Sequence, residues 1–377
     1  MFPELLLLSP NPIYGIMTKF YNDMRKNKIN LTVGEIFFYE NGKKNLFDFN
    51  FIMSKLGIHH DKYFSKTSKY LPILGCSEFI INCEKFIFGN NRKRTGCQTI
   101  SGTGSLMLGN YLLELINQKI YIQKKSWPNH FGIFKIHKLY KSINDLKKIY
   151  NSTILFHTCC HNPTGIDFTN NEWKIICKIM IKNNNIAYFD TAYLGISSGD
   201  PKKDSYPIRF FEDNGIPIII SMSFSKTFGL YGQRTGCLFF NFFDLYKETI
   251  YIQYIQRKIR QSYSNPPRMG AEMANCLMTN PTYLRKWRET IKYILKYQIE
   301  IRNILYKKLY WNISDKKGLF FISPLTKKQI IELRDKHAIY MLENGRINIS
   351  GLNKSNIKYF IKCVKQVEDS NSNLLSK

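Results

Sequence analysis

The strongest constraint on the fold is a set of four short apolar runs, each of which ends at a polar or glycine-rich cluster. The runs cover residues 153–156, 186–189, 216–220 and 237–240, and a helical pattern at residues 172–181 separates the first two. Apolar runs of this length are typical of strands that are buried on both faces of a parallel sheet. Their alternation with helices predicts an α/β fold with crossover helices.

The last third of the chain has a different organisation. An unbroken helical pattern through residues 281–309 exceeds the usual helix length and predicts a connection between two domains. It is followed by the pattern of a smaller α/β unit, with strands at 319–322 and 346–349 and a helix at 327–337 between them. We therefore expect two domains, the second smaller than the first.

The charge of the chain needs an explanation beyond a globular fold. The sequence has 377 residues, 44% of them hydrophobic, and its 55 lysines and arginines against 28 acidic residues give a formal net charge of +27. Such a balance can mark a nucleic-acid or membrane-surface binder. The basic residues are scattered among isoleucines and tyrosines, so we favour drift in base composition and expect neither a nucleic-acid nor a membrane partner.

Cysteine usage and the N-terminal pattern bear on the cellular compartment. Of the nine cysteines, none lies in a Cys-x-x-Cys pair, and Cys159 and Cys160 are adjacent, which does not suit an ordinary disulfide. The apolar run at residues 5–8 is too short for a membrane helix and lacks the flanks of a signal peptide. We expect a soluble cytoplasmic protein with reduced thiols.

Two of the polar clusters have weak signals when each is taken alone. Residues 101–105, Ser-Gly-Thr-Gly-Ser, precede a helical pattern, and a glycine-rich helix N-terminus can bind a phosphate. Asp190 ends the second apolar run and Tyr193 follows three residues later. Parallel sheets bind ligands at this end of their strands, although an aspartate that caps the next helix is the more ordinary explanation.

A third cluster, residues 157–165, offers two interpretations. His157 and His161 with two cysteines between them could form a metal site. Their spacing matches no standard zinc pattern, and Pro-Thr-Gly predicts a turn directly afterwards. We therefore favour a loop that presents Asn162 and expect no metal.

The fourth cluster, residues 221–229, follows the apolar run at 216–220 and centres on Lys226. If a lysine in that position is partly desolvated, its ammonium form is disfavoured, which suits a Schiff-base lysine. Ser223, Ser225 and Arg234 lie close by in the sequence and could hold a phosphate.

Taken together and in this order, the clusters resemble the fold-type I pyridoxal-phosphate aminotransferases of the aspartate/aromatic subgroup. The resemblance implies pyridoxal 5′-phosphate as cofactor. It also implies a large domain over residues 44–293 with a mostly parallel seven-stranded sheet flanked by helices, and a small α/β domain from 1–43 and 294–377, joined by a long helix. The matching stretches are SGTGSL, SWPNH, HTCCHNPTG, FDTAYLG, SFSKTFGLYGQRTG, RQSYSNPP and NGRINISGL.

The resemblance also implies a role for each site residue. Lys226 would bind the cofactor covalently and, once released, would shuttle the proton. Asp190 would pair with the pyridinium nitrogen, supported from behind by His130. Further cofactor contacts would come from Tyr193, Asn162 and Trp127 at the ring, from Gly102, Thr103, Ser223, Ser225 and Arg234 at the phosphate, and from Tyr70 of the other subunit of a homodimer.

Substrate binding is implied by the same resemblance. Arg346 would clamp the α-carboxylate, and Arg260, lent by the partner subunit, would bind a side-chain carboxylate. Gly34 would lie in the loop that covers the substrate, and Trp127 and Asn162 would also contact it. The substrates would be aspartate, aromatic amino acids or both, with 2-oxoglutarate as amino acceptor; for Arg260 alone, a surface helix charge is the other interpretation.

The sequence leaves two alternative functions open, and one segment differs from the pattern of the family that the chain resembles. The alternatives are a pyridoxal-phosphate enzyme of another reaction class on the same scaffold and a basic nucleic-acid-binding protein. The departure is the segment between His130 and His157, which is shorter than in the family that the chain resembles. We expect a strand or turn there to be lost or compressed.

Overall fold

A computed structural model of the chain describes residues 12–40, 42–58, 68–90 and 94–375. The apolar run at residues 5–8 lies outside these ranges. The chain divides into two compact units, a larger one of Leu46–Leu295 and a smaller one that combines Met1–Asn45 with Lys296–Lys377.

The described residues form helices and strands in alternation through most of the larger unit. The helices are α1 (Pro12–Asn22), α2 (Phe49–Ser54), α3 (Ser77–Phe88), α4 (Ser101–Leu115), α5 (Pro128–Ile133), α6 (Ile143–Leu146), α7 (Asn170–Lys182), α8 (Pro201–Asp204), α9 (Tyr206–Asp213), α10 (Phe224–Thr227), α11 (Leu245–Ser262), α12 (Arg268–Thr279), α13 (Pro281–Leu309), α14 (Lys327–His337) and α15 (Ile357–Leu375). The strands are β1 (Ile29–Asn30), β2 (Phe37–Glu40), β3 (Lys43–Leu46), β4 (Thr95–Ile100), β5 (Ile120–Gln123), β6 (His137–Tyr140), β7 (Thr153–His157), β8 (Ile186–Thr191), β9 (Ile218–Ser223), β10 (Thr235–Asn241), β11 (Phe320–Ile322), β12 (Ile339–Tyr340) and β13 (Arg346–Asn348).

A seven-stranded sheet with the order β4-β10-β9-β8-β7-β5-β6 forms the centre of the larger unit. The pairs from β6 to β9 are parallel, which confirms the predicted α/β fold with a mostly parallel sheet. The interpretation of residues 237–240 as a parallel strand is wrong, because β10 runs antiparallel to both β9 and β4. Residues 224–234 are too few for the crossover that a parallel connection requires.

Helices on both sides of the sheet follow from the local sequence. Thr169 begins α7 with a capping box closed by Glu172, and the apolar face of α7 includes the buried residues Trp173 and Ile176. On α4, Leu106 and Leu112 belong to a buried apolar cluster of the larger unit. These helices bury the apolar strands on both faces, as a parallel sheet requires.

The shortened segment before His157 retains its strand. β6 and α6 both lie within it, and β6 forms the edge of the sheet beside β5 with four paired residues. The segment therefore contains a strand, and the expectation that a strand or turn there is lost or compressed stays a prediction.

The smaller unit has its own core. β11 pairs antiparallel with β13, and β1 pairs parallel with β12. The predicted elements at 319–322, 327–337 and 346–349 correspond to β11, α14 and β13.

No helix within the described ranges combines the length and apolar character that a membrane crossing requires.

A substitution at Gly109 on α4 tests how closely this helix approaches the sheet. A Cβ atom at Gly109 would lie 1.9 Å from the hydroxyl oxygen of Tyr188, a buried residue of β8. We expect Gly109→Ala to lower the free energy of unfolding by about 1–3 kcal/mol, because the added methyl group overfills the interface. Chemical denaturation measures this. Gly132→Ala is the matched control, since a Cβ at this helical glycine has no atom of the described residues within 4 Å; an equal loss in both variants would contradict the close approach.

Candidate active site

Three neighbouring parallel strands bring the polar clusters to one edge of the sheet. In the register of β7, β8 and β9, His157 pairs with Asp190, and Asp190 pairs with Ser221. The carboxyl ends of these strands therefore lie side by side, which is where open parallel sheets bind ligands. Asp190 lies near the carboxyl end of β8, and the turn that carries Lys226 comes directly after the adjacent strand β9.

Asp190 is held in a buried chain of hydrogen bonds. Its carboxylate is 6% exposed, and Oδ2 lies 3.1 Å from Nε2 of His130. Nδ1 of His130 lies 2.9 Å from Oγ of Ser126. Because a carboxylate accepts, Nε2 of His130 donates to it, and in the neutral ring Nδ1 accepts from the serine hydroxyl. The helix-cap interpretation of Asp190 is wrong, since the next helix, α8, is capped by Asp200.

A second imidazole approaches the same carboxylate oxygen. Nε2 of His157 lies 3.7 Å from Oδ2 of Asp190. Burial, together with His161 and His130 nearby, keeps the pKa of His157 well below its usual range. His157 is therefore neutral near pH 7 and adds polarity beside Asp190 without adding a positive charge.

Nitrogen and oxygen atoms of His130, His157 and Asp190 lie within 4.8 Å of one another, a spacing that a metal ion could use. Cys159 and Cys160 do not take part in this group, so it differs from the metal site considered from the sequence. Nε2 of His130 and Oδ2 of Asp190 already share a hydrogen bond, which a metal ion would have to break.

Asn162 lies in a loop held by backbone contacts. The carboxylate of Asp167 accepts hydrogen bonds from the backbone N–H groups of Cys160 and His161, both at 2.8 Å. Nδ1 of His161 lies 2.7 Å from Oγ1 of Thr164. Asn162 itself is buried, and its side-chain oxygen has no hydrogen-bond partner among the residues that the structure describes. A buried amide of this kind is prepared for a ligand atom.

The loop after β8 carries Tyr193 and is held by Asp204. Tyr193 is buried, and Sγ of Cys159 lies 3.4 Å from its backbone oxygen. Oδ2 of Asp204 accepts from the N–H groups of Gly195 at 2.8 Å and Ser197 at 3.1 Å. Burial raises the pKa of Asp204 to about 6, partly offset by these hydrogen bonds.

Serine hydroxyls gather where β4 ends and α4 begins. Oγ of Ser101 lies 3.1 Å from Oγ of Ser223 and 3.1 Å from Oγ of Ser225. Nη1 of Arg234 lies 3.5 Å from Oγ of Ser225. A Cβ at Gly102 would lie 3.0 Å from Cβ of Ser223, so glycine keeps the helix start close to these hydroxyls. A helix N-terminus, hydroxyls and an arginine together suit a phosphate group.

The remaining predicted residues of the larger unit are more accessible. Thr103, Trp127 and Lys226 are half-buried, and the Trp127 ring stands perpendicular to that of His130 at 5.4 Å. Tyr70 is 87% exposed, and Arg260 is exposed on α11, where it donates to the hydroxyl of Ser264.

In the smaller unit, Arg346 is 3% exposed. Its Nη2 donates to the backbone oxygen of Thr32 at 3.0 Å, and its guanidinium lies 4.3 Å from the ring centre of Phe320. A Cβ at Gly34 would lie 3.5 Å from the same ring. Arg346 and Gly34 are therefore neighbours of one phenylalanine within this unit.

The donor set fits pyridoxal 5′-phosphate. This cofactor has a pyridine nitrogen, a phenolic oxygen, an aldehyde and a phosphate. Buried Asp190 suits the nitrogen, the buried amide of Asn162 suits the phenolic oxygen, and the serine cluster suits the phosphate. A site at the strand ends with these features defines an α/β enzyme that binds a phosphorylated aldehyde cofactor.

Comparison with known proteins defines the family. Residues 26–364 match the family model "Aminotransferase class I and II", and the chain belongs to this family of pyridoxal-phosphate-dependent aminotransferases. It is 32% identical to the mitochondrial aspartate aminotransferase of Gallus gallus, over 95% of this chain and 92% of the relative. The chain is therefore an aminotransferase, and the alternative of a pyridoxal-phosphate enzyme of another reaction class is wrong.

Solved structures give the same result. The cytoplasmic aspartate aminotransferase of Giardia lamblia superposes with a TM-score of 0.88 at 27% identity, covering 98% of this chain and 99% of that one. The aromatic-amino-acid aminotransferase of Burkholderia pseudomallei, covalently bound to pyridoxal phosphate, gives 0.86 at 25% identity, covering 97% and 99%. The broad-specificity aminotransferase of Leishmania mexicana gives 0.86 at 28% identity, covering 97% of each.

Several residues of the site were not predicted from the sequence. Ser126 lies four residues before His130, a helical spacing that could have suggested a contact. Ser101 lies in the SGTGSL stretch, which by itself assigns it no role. His157 was considered only as a metal ligand, although a strand-end position beside Asp190 follows from the order of the parallel strands. Asp204 gave no sequence signal, because its partners are backbone groups.

The raised pKa of Asp204 predicts a pH dependence of stability. A carboxyl group with a higher pKa in the folded than in the unfolded protein contributes stability that is present below pH 4 and lost as the pH rises through about 6. Asp204→Asn cannot titrate. We therefore expect the free energy of unfolding of the variant, relative to wild type, to rise between pH 5 and pH 7.5.

Denaturant titrations at the two pH values measure this difference. Asp200→Asn is the control, because Asp200 also accepts from a backbone N–H group nearby but lies at the exposed start of α8. A relative stability of Asp204→Asn that is constant over this range would show that the carboxylate ionises normally in the folded protein.

Proposed function

We propose that this aminotransferase moves the amino group between aspartate, aromatic L-amino acids or both and 2-oxoglutarate. The observation that carries the proposal is the buried carboxylate of Asp190, joined to His130 and Ser126, beside the turn of Lys226. Support for the substrates comes from the relatives, which are named as aspartate, aromatic-amino-acid and broad-specificity aminotransferases.

Lys226 is proposed to carry the cofactor and to move the proton. When bound, pyridoxal phosphate withdraws electrons from the substrate Cα and so acidifies its hydrogen. The Nζ atom of Lys226 then takes the proton from Cα as a general base. Its position in the turn directly after β9, next to the strand that carries Asp190, supports this role.

Asp190 is proposed to hold a proton at the ring nitrogen of the cofactor. His130 donates a hydrogen bond to the carboxylate, and Ser126 fixes the orientation of the imidazole. His157 is neutral and leaves the negative charge of Asp190 for the ring. Tyr193 and Asn162 would donate to the phenolic oxygen, and Trp127 would cover one ring face.

The phosphate is proposed to bind at the start of α4. Ser223, Ser225 and Arg234 would contact it through side chains, and Gly102 and Thr103 through the N–H groups of the first helical turn. The hydrogen bonds among the serine hydroxyls support this assignment, because a phosphate can replace each of them with a charge-assisted one.

Arg346 is proposed to bind the α-carboxylate of the substrate. Its guanidinium is buried and oriented by Thr32 and Phe320, so few degrees of freedom are lost when two parallel hydrogen bonds form. Gly34 would leave room for the substrate-covering loop next to Phe320.

A homodimer in the cytoplasm is part of the proposal. Tyr70 and Arg260 are exposed in the single chain, which supports contacts with the active site of a partner subunit. Nine free cysteines suit a reducing compartment. Fractionation would distinguish the cytoplasm from mitochondria, the location named for the Gallus gallus relative.

The first test is the visible spectrum of the purified protein. We expect a cofactor absorbance that falls when aspartate or phenylalanine is added and recovers with 2-oxoglutarate, because each half of the cycle moves the amino group on or off the cofactor. Lys226→Ala should lower kcat by at least about a thousandfold. Lys182→Ala, at an exposed position at the end of α7, should retain full activity; a colourless wild-type protein that cannot be reconstituted would refute the proposal.

The second test concerns the side-chain carboxylate of the substrate. We expect Arg260→Ala to lower kcat/KM for aspartate by about a hundredfold, since a charged partner is removed, and to affect phenylalanine far less. Arg257→Ala, three residues earlier on α11 and also exposed, is the matched control.

Mixing inactive chains tests whether Arg260 acts across the dimer. A hybrid of a Lys226→Ala chain and an Arg260→Ala chain has one site with both residues intact if Arg260 comes from the partner. Random mixing should then restore about a quarter of the wild-type aspartate activity, because half of the dimers are hybrids. No recovery would assign Arg260 to the site of its own chain.

A further inference from the structure

The turn that carries Lys226 is too short to hold the lysine in place by itself. α10 has four residues, and the last carbonyl groups of a helix have no partner within it. The carbonyl of Phe224 accepts from the N–H of Phe228 at 3.1 Å. The carbonyl of Thr227, the residue after Lys226, accepts instead from Nε1 of Trp287 at 2.6 Å. A side chain of α13, sixty positions away, thus caps this turn.

The same indole lies against the loop that follows Tyr193. A Cβ at Gly195 would be 2.4 Å from Cη2 and 2.8 Å from Cζ2 of Trp287. Gly195 also has a φ of +83°, which side chains rarely adopt. Glycine at this position therefore lets the backbone rest directly on the edge of the indole ring.

The surroundings leave Trp287 little freedom to move. The residue is 0% exposed, and its ring packs edge-on against Phe228 at 5.4 Å and Phe86 at 6.2 Å. On the loop side, the N–H of Gly195 is bound by Asp204 at 2.8 Å. An indole confined on all these sides acts as a rigid spacer between the two segments.

We propose that Trp287 is a positioning residue that sets the distance between the amine of Lys226 and the hydroxyl of Tyr193. Nε1 of the indole binds the residue after Lys226, and the neighbouring Cζ2–Cη2 edge of the same ring lies against the residue two after Tyr193. The catalytic importance of this distance rests on the proposed function, in which the amine of Lys226 and the hydroxyl of Tyr193 act on the same cofactor. Proton transfer depends steeply on such spacing, because a shift of about 1 Å can change rates a hundredfold.

Trp287→Phe tests the spacer, because it removes the N–H donor and shortens the ring. Trp173→Phe is the matched control, since Trp173 is also a buried tryptophan of the larger unit and packs against Phe156 and Phe168. For both variants we would measure the melting temperature and the pH dependence of the cofactor absorbance. A third measurement uses protein freed of cofactor, in which acetic anhydride labels Lys226 and mass spectrometry follows the labelled peptide across pH.

We expect both variants to lower the melting temperature, whereas only Trp287→Phe changes the other two measurements. Labelling of Lys226 at a fixed pH should change about threefold or more, since a displaced amine meets a different environment. The absorbance titration should shift in the same variant. If Trp287→Phe matches Trp173→Phe in labelling and titration, Trp287 only fills space and the proposal is overturned.

A second pair of variants covers the case in which Trp287→Phe does not fold. Gly195→Ala pushes on the indole from the loop side, and Gly215→Ala is its control, with a similar φ of +75° but nothing within 4 Å of the added Cβ. Gly195→Ala should alter the labelling of Lys226, and Gly215→Ala should not. The labelling of Lys226 uses protein without cofactor, so it tests the role of Trp287 even if the protein does not catalyse transamination. A wild-type protein that shows no cofactor absorbance would count against the proposed function and not against the role of Trp287.

Discussion

The carboxylate of Asp190 imposes the main physical constraint on the site. Burial of a charged group is costly unless hydrogen bonds surround it, and Asp190 lies one residue beyond Phe189, which is fully buried in the apolar sheet. His130 and Ser126 provide the hydrogen bonds, and they come from the segment that follows β5. The hydrogen bonds that join Ser126, His130 and Asp190 therefore determine how the segment after β5 must pack over the end of β8.

The direction of β10 has a similar consequence on the phosphate side. Because β10 returns antiparallel along β9, Arg234, the residue directly before β10, comes back to Ser225 in α10, the turn directly after β9. Gly236 permits the close contact with α4, since a Cβ there would lie 2.4 Å from the Met222 oxygen and 2.7 Å from the Ser101 carbonyl carbon. The strand whose direction was mispredicted thus joins the arginine, both serines and the helix start.

The sequence predicted where elements lie better than how they contact one another. The helix at residues 327–337 was predicted with its observed bounds, because the capping residue Thr326 and the αL residue Ala338 delimit it. The direction of β10 could not follow from its apolar run, which reads the same in either orientation. Trp287 matched a core position of a helical repeat, and its bond to Thr227 depends on tertiary packing that no local pattern records.

The excess of positive charge can be reconciled with an ordinary enzyme core by comparing buried and exposed ions. Arg94 is buried in the larger unit and forms ion pairs with Glu84 at 2.8 Å and Glu212 at 2.5 Å. Removing Arg94 would leave two buried carboxylates uncompensated, at a cost of about 3–5 kcal/mol. Exposed lysines such as Lys138 and Lys182 have no such requirement, because isolated surface charges contribute little to stability. Drift in base composition can therefore accumulate lysines on the surface while the buried ions, Asp190 among them, stay bound to their partners.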